Sequence, residues 1–238
     1  RDLHSFPTRR SSDLIDWLKA CGVEFDDVNR GDHPTAELRL LNADRTAFRA
    51  ELMHLPPYLS AEYLPEDIPA GKVGTIRLTL DSEKLNQLGL NQTSIYLSRY
   101  MGDKIGETNE ILVSAILLPS FQDMSEADIA TAPELGISES TVEVNPLLGK
   151  KGLNRTIILT NTGGSDLHIH AVQVFNKAIG VSIANSTIRP GKSTKLKINV
   201  NTHYLGKSKG RMRILLITDA PKQAKQYINI DVNGTPGE

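Results

Sequence analysis

The sequence predicts an all-β protein made of two β-sandwiches in tandem, and two observations carry this prediction. The first is a set of sequence markers that recurs at an offset of about 119 residues. The second is a series of short apolar runs, about 8–12 residues apart and bounded by Gly, Pro, Asn or Asp. Length and composition agree, because 238 residues suffice for two domains and 39% hydrophobic with 23% charged residues is typical of a folded chain.

The recurring markers stand in the same order in both halves. Gly71 lies in a turn that precedes alternating apolar residues, and Gly191 lies in a similar turn before a similar pattern. An apolar run ends at Asn42 in the first half and at Asn161 in the second. The offset drifts by only about three residues along the chain, so we predict a tandem duplication.

Each half is expected to contain about seven strands. In the first half we predict strands at residues 23–28, 35–42, 48–54, 58–64, 73–80, 93–99 and 110–118. In the second half we predict strands at residues 141–144, 153–162, 167–174, 181–184, 194–200, 211–218 and 227–232. This number and spacing of strands favour an immunoglobulin-like fold in each half.

A short, partly helical linker is predicted between the halves. Ser125 can cap a helix whose first turn carries Glu126 and Asp128, and Pro133 would stop that helix. Residues 81–89 are also compatible with a helical turn, inside the first half. The predicted domains are an immunoglobulin-like domain at 15–118, the linker at 119–134 and a second immunoglobulin-like domain at 135–238.

The first 14 residues are expected to lie outside the fold. Residues 1–14 show no periodicity and resemble translated sequencing-adapter DNA, so an export signal is expected to have been lost upstream. No stretch approaches the ~18 apolar residues of a transmembrane helix. Cys21 is the only cysteine, which excludes a disulfide within the chain and a multi-cysteine zinc site.

Two glycine-containing segments are predicted to be tight turns. In the segment 161–164, Gly163 and Gly164 are expected to supply the positive φ that a tight strand connection needs. Pro190 and Gly191 are expected to occupy the two central positions of a β-turn, with Gly191 at positive φ.

The motifs at residues 159–167 and 188–193 carry a family resemblance. With the last strand, they resemble a family of unknown function, common in exported proteins of Bacteroidota, that is built from immunoglobulin-like repeats similar in style to Hydin-type domains. The resemblance spans roughly residues 22–234 and implies a periplasmic, cell-envelope or secreted location. Many members carry Cys-Gly-Cys where this chain has residues 174–177 without cysteine, so no redox or metal role is carried over.

The sequence offers little for catalysis or metal binding. His168 and His170 share one face of a predicted strand, but two ligands are fewer than a zinc site uses. No nucleophile elbow and no phosphate-binding glycine loop occurs. We therefore predict a protein that is not an enzyme, with no catalytic, cofactor-binding or metal-binding residues and no cofactor.

The charge distribution is the main indication of function. Residues 15–134 carry a net charge of −10 and residues 135–238 a net charge of +8, although the whole chain carries only −1. We predict a partner-binding basic face made of Lys195, Lys197, Lys207, Lys209, Arg211 and Arg213. Aromatic residues are not interleaved with these cations, which argues against a nucleic-acid partner.

The leading hypothesis is an exported, non-enzymatic module that binds or scaffolds proteins of the cell envelope. Strand addition at a sheet edge is a plausible mode of recognition. Its partner would be a protein or an anionic component of the envelope. A purely structural spacer is the first alternative, and an uncharacterised hydrolase or metal-binding protein is a weaker one. The oligomeric state is left open.

Overall fold

The computed structural model of the chain describes residues 22–98, 100, 102–145, 153–201, 203–205 and 211–232. Nearly all regular structure in these residues is β-strand, which confirms the predicted all-β class. The chain divides into two units, Arg1–Leu117 and Leu118–Glu238. The predicted adapter-like tail, residues 1–14, and Cys21 lie outside the described residues.

The described part of the first unit contains nine strands and one short 3₁₀ turn. The strands are β1 (Val23–Val28), β2 (Thr35–Leu41), β3 (Phe48–Arg49), β4 (Glu51–Met53), β5 (Leu59–Leu64), β6 (Asp67–Ile68), β7 (Val73–Leu80), β8 (Gly89–Ser98) and β9 (Glu110–Leu117). The turn at Ser82–Lys84 confirms the helical turn expected within residues 81–89.

Two sheets of the first unit pack face to face. One has the order β1-β9-β8-β4 and the other β2-β7-β5, while β3 and β6 form a separate pair. Strand β7 alternates, so Ile76, Leu78 and Leu80 enter the core while the residues between them face outward. The first strand, β1, runs parallel to the last, β9.

The second unit contains one helix and nine strands in its described residues. The elements are α1 (Glu126–Ala130), β10 (Leu135–Ile137), β11 (Thr141–Val144), β12 (Leu153–Asn161), β13 (Leu167–Val174), β14 (Ile179–Ile183), β15 (Thr187–Ile188), β16 (Ser193–Val200), β17 (Arg213–Thr218) and β18 (Lys225–Val232). A second 3₁₀ turn covers Pro221–Gln223.

The sheets of the second unit have the orders β10-β12-β16-β14 and β11-β18-β17-β13-β15. Their inner faces share one hydrophobic core, in which Leu159, Leu196 and Ile214 are fully buried. As in the first unit, the strand near the start of the fold, β11, pairs in parallel with the last strand, β18. Each unit is therefore a β-sandwich.

The strand predictions fail at two kinds of position. The strand expected at residues 48–54 is two strands, because buried Ala50 separates β3, which pairs with β6, from β4, which pairs with β8. Strands β6, β10 and β15 are not predicted at all; they are only two or three residues long. The other strands are found within a few residues of their predicted bounds.

The helix predicted in the linker is confirmed. The Ser125 hydroxyl accepts a hydrogen bond from the Asp128 backbone N–H at 3.2 Å, and the Asp128 carboxylate accepts the Ser125 N–H at 3.1 Å. This is a capping box, which satisfies N–H groups that the first helical turn leaves unpaired. Hydrogen bonds from the Ser125 side chain and backbone hold the pKa of Asp128 below its ordinary value. Within the described residues, no helix has the length and apolar character needed to cross a membrane.

A buried asparagine side chain ties the end of β12 to the entry of β16. The Asn161 amide nitrogen donates to the Ser165 carbonyl at 2.7 Å and to the Ile188 carbonyl at 2.8 Å. Its amide oxygen accepts the Gly163 N–H at 2.9 Å. Asn42 makes the equivalent bonds in the first unit, to the Thr46 and Ile68 carbonyls and from the Asp44 N–H. In each sandwich the recurring asparagine therefore links two chain segments through buried hydrogen bonds.

The prediction for the glycines that follow Asn161 is wrong. Neither Gly163 nor Gly164 has positive φ. A Cβ atom on Gly163 would lie 2.5 Å from the Glu134 nitrogen and 2.6 Å from the Pro133 Cα. Glycine is required here because the linker passes directly over it. The second turn is as predicted, because Gly191 has a φ of +69° and the Lys192 N–H donates to the Arg189 carbonyl.

We predict that Asn161→Ala destabilises the chain by about 2–3 kcal/mol, because it leaves buried carbonyl groups without donors. Urea unfolding followed by circular dichroism measures this change. Asn229→Ala, which removes an exposed amide from β18, is the matched control and should change stability by less than about 0.5 kcal/mol. Equal effects of the two substitutions would contradict a stabilising role for the buried hydrogen bonds of Asn161.

The two glycines should respond differently to alanine. Gly163→Ala forces the linker backbone aside and should lower the free energy of unfolding by about 3 kcal/mol. Gly191→Ala meets open space and should cost only about 1–2 kcal/mol for its left-handed backbone. The same unfolding experiment measures both, and a larger loss for Gly191→Ala would show that the linker does not constrain Gly163.

Candidate functional site

Lys195 and Lys197 lie on the outer face of the sheet β10-β12-β16-β14. Strand β16 alternates strictly, so Leu196 and Ile198 enter the core and both lysines are exposed, as the sequence pattern predicts. Because β16 lies between β12 and β14, the lysines stand away from the sheet margins. We call this surface the lysine face, and it comprises Asn154, Thr156, Ile158, Thr160, Gly180, Ser182, Ser193, Lys195, Lys197 and Asn199.

The surroundings of Lys197 are small and polar. The β-sheet register places Thr156 of β12 and Ser182 of β14 directly opposite it, one on each side. Two positions along β16, the Asn199 amide nitrogen donates to the Asn154 side-chain oxygen at 2.8 Å. Gly180 contributes no side chain beside Asn199. The result is a shallow groove of about 380 Å³ that is lined by hydroxyl and amide groups, by Lys197 and by Arg155.

The lysine face carries positive charge without an internal counter-ion. None of its ten residues is Asp or Glu. Within the described residues, neither Lys195 nor Lys197 takes part in an ion pair. Two exposed cations two positions apart on one strand attract anions over roughly one Debye length, about 8 Å at physiological salt. The face is therefore suited to an anionic group.

The other basic residues do not join this face. Arg213 begins β17, in the opposite sheet, and its guanidinium lies between two rings, 4.4 Å from the centre of Phe175 and 4.1 Å from that of Tyr227. Arg211 stands just before the same strand. The six predicted cations thus do not form one face, because β16 and β17 belong to different layers of the sandwich. Outside the described residues lie Lys207 and Lys209.

The two histidines singled out in the sequence are exposed on β13. Asp219 accepts two hydrogen bonds from His168, from its backbone N–H at 2.7 Å and from its ring Nδ1 at 2.7 Å. This pair links the start of β13 to the residue that follows β17. His170 lies at an irregularity in the pairing of β13. In the described part of the chain, no three His, Cys, Asp or Glu residues are grouped as a metal site would require.

Two carboxyl groups of the described residues have shifted pKa values, and both take part in capping short helical elements. Asp128 is the capping-box partner of Ser125 at the start of α1. The hydrogen bond from Lys84, whose Nζ lies 2.9 Å from the carboxylate, holds the pKa of Asp81 below its ordinary value, partly opposed by desolvation. Neither group belongs to the lysine face, so both shifts reflect local structure.

Comparison with known proteins supports the fold assignment. A family model described as the HYDIN/CFA65/VesB-like, Ig-like domain matches residues 133–233. The fold is immunoglobulin-like. A crystal structure of a protein of unknown function from Porphyromonas gingivalis is similar over 88% of this chain and 94% of that chain, with 19% identity and a TM-score of 0.70. That similarity extends the agreement in fold across both units.

Two further solved structures are much less similar. The Pseudomonas aeruginosa CupB2 chaperone has 11% identity and a TM-score of 0.29, over 87% of this chain and 95% of that one. The secreted serine protease VesC from Vibrio cholerae has 10% identity and a TM-score of 0.28, over 90% of this chain and 51% of that one. No curated protein matches the sequence significantly.

Sequence reasoning found the two lysines but missed their neighbours. Thr156 and Ser182 are 41 and 15 residues away from Lys197 in the chain, and nothing in their local sequence marks them. Only the register of three strands brings them together. An alignment of the two halves strand by strand is the signal that could have identified Thr156 and Ser182.

We predict that Arg213 contributes to stability, in contrast to the lysines. Arg213→Ala removes a cation held between two aromatic rings and should lower the free energy of unfolding by about 2 kcal/mol. Lys195→Ala should change it by less than about 0.5 kcal/mol, because Lys195 is exposed and has no ion pair in the described structure. Urea unfolding of the two variants provides the measurement, and equal values would refute this division of roles.

Proposed function

We propose that the chain is a non-enzymatic protein-binding module of the cell envelope, and that its second unit presents the binding surface. The observation that carries this proposal is the combination of the lysine face with the open sheet edge beside it. Strand β14 is the edge of its sheet and pairs only with β16 in the described structure. Unpaired backbone groups on an edge strand can receive a strand from another protein.

The hydrogen-bond pattern identifies which backbone groups are available. The Asn201 N–H donates to the Ala178 carbonyl, and the Ala184 N–H donates to the Lys195 carbonyl. In an antiparallel pair such residues alternate with residues that point away from the partner strand. The N–H and C=O groups of Val181 and Ile183 are therefore directed to the open side of β14.

The location and the class of partner rest on the sequence. The resemblance to immunoglobulin-like repeats of exported proteins supports an envelope location. The excess of basic residues in the second half supports an acidic partner. A structural spacer is the competing function, and it would need neither the lysines nor the edge.

Capture of partners from an envelope extract of the source organism tests the proposal. We expect the full chain to retain at least one protein. The amount of that protein recovered should fall about tenfold with the double variant Lys195→Glu/Lys197→Glu, because reversing the charge turns attraction into repulsion. Lys72→Glu/Lys104→Glu, which makes the same change of charge in the first unit, is the matched control and should retain it. If no captured protein distinguishes the two variants, the spacer function is favoured.

A further inference from the structure

The first unit contains an ion-pair arrangement at the position that corresponds to Lys197. Arg77 lies on β7, the middle strand of its sheet. Its guanidinium contacts Glu62 on β5 at 3.0 Å and Glu37 on β2 at 3.3 Å. The cation on the middle strand is thus neutralised from both sides by carboxylates of the neighbouring strands.

In the second unit the cation remains but both carboxylates are replaced. Lys197 stands on the middle strand β16, opposite Thr156 on one side and Ser182 on the other. Arg77 has the same relation to Glu37 and Glu62 in its own register. The second unit therefore combines an unneutralised ammonium with two hydroxyl groups, which are hydrogen-bond donors that an incoming carboxylate can use.

The space left by the shorter side chains is open to solvent. Gly180 stands where the first unit has Ser60, and a Cβ at Gly180 would only touch Asn199, at 3.8 Å or more. The groove beside Lys197 reaches the edge strand β14, since Gly180 and Ser182 line it. A side chain from outside the sheet can therefore reach Lys197 across Ser182.

We propose that this groove binds the carboxylate of a Glu side chain presented by an extended peptide segment that adds to β14. The added strand would lie two strand spacings, about 10 Å, from β16. A Glu side chain and the Lys197 side chain would meet above Ser182 and form a carboxylate–cation pair, the kind of pair that Glu62 and Arg77 form between adjacent strands in the first unit. The inference rests on the proposed protein-binding function and names the chemistry of the partner.

A peptide fits this site better than an acidic saccharide does. The backbone groups of Val181 and Ile183 face the open edge beside the groove, and a peptide backbone supplies the complementary donors and acceptors in register. A saccharide would use the lysine and the hydroxyls but would leave the edge unpaired. The charge of the groove and the edge of the sheet thus point to one ligand, an acidic strand.

Fluorescence anisotropy with labelled peptides tests the proposal on the full chain. The probes are a capped Thr-Val-Glu-Val-Thr-Val peptide, its Gln counterpart and an oligogalacturonate. We expect the Glu peptide to bind about tenfold more tightly than the Gln peptide at physiological salt. The variant Ser182→Glu supplies an internal carboxylate and should abolish this preference, whereas Lys72→Gln, which removes an exposed charge from the first unit, should keep it. Lys197→Gln should also abolish it.

Each other outcome overturns the proposal. Equal affinity for the Glu and Gln peptides would show that the edge binds strands without a carboxylate site, which leaves the proposed function intact. Lys197-dependent binding of the oligogalacturonate alone would assign the groove to acidic saccharides. Binding of none of the probes would show that the groove takes no acidic strand, while capture from the envelope extract reports separately on protein binding. Circular dichroism of the three variants confirms that each is folded.

Discussion

The hydrogen bonds of Asn161 fix the position of β16 against β12, and the rest of the second sandwich depends on that position. The side-chain amide holds the loop after β12 to the end of β15, and the Asn161 backbone pairs with Gly191 and Lys192 at the entry of β16. These bonds set where β16 begins against β12. Because a shift of one residue would exchange the two faces of a strand, the same bonds decide that Lys195 and Lys197 face outward.

The linker contributes to the second sandwich rather than only leading to it. Residues 131–134 pass over Gly163 and Gly164 so closely that neither can carry a side chain without displacing a neighbour. The linker then continues as β10, which pairs with β12 and covers that edge of the sheet. The opposite edge, β14, is the one that stays open in the described structure. The order of the strands therefore places the available edge beside the lysines.

Much of the fold follows from period-two patterns, and the misses have physical causes. Alternation predicts the bounds of β7 to the residue, because one face of that strand enters the core. The two-residue strands β6 and β15 are too short to show a period. The break at Ala50 depends on which strand each half of the segment pairs with, and no local pattern encodes that choice. The same distinction holds for the site. The alternation of β16 predicts that the lysines face outward, but their neighbours on β12 and β14 are set by the register between strands, which the local sequence does not encode.

The parallel pairing of the terminal strands has a mechanical consequence. In the first unit the chain enters along β1 and leaves along β9, and these two strands run in the same direction; in the second unit β10 precedes β11, which runs parallel to β18. A force that pulls the ends of the first unit apart acts along β1 and β9 and loads the hydrogen bonds between them together in shear. They cannot open one at a time, as they would in a hairpin pulled from its open end. The pairing of β1 with β9 thereby arranges the first sandwich to resist tension along the chain.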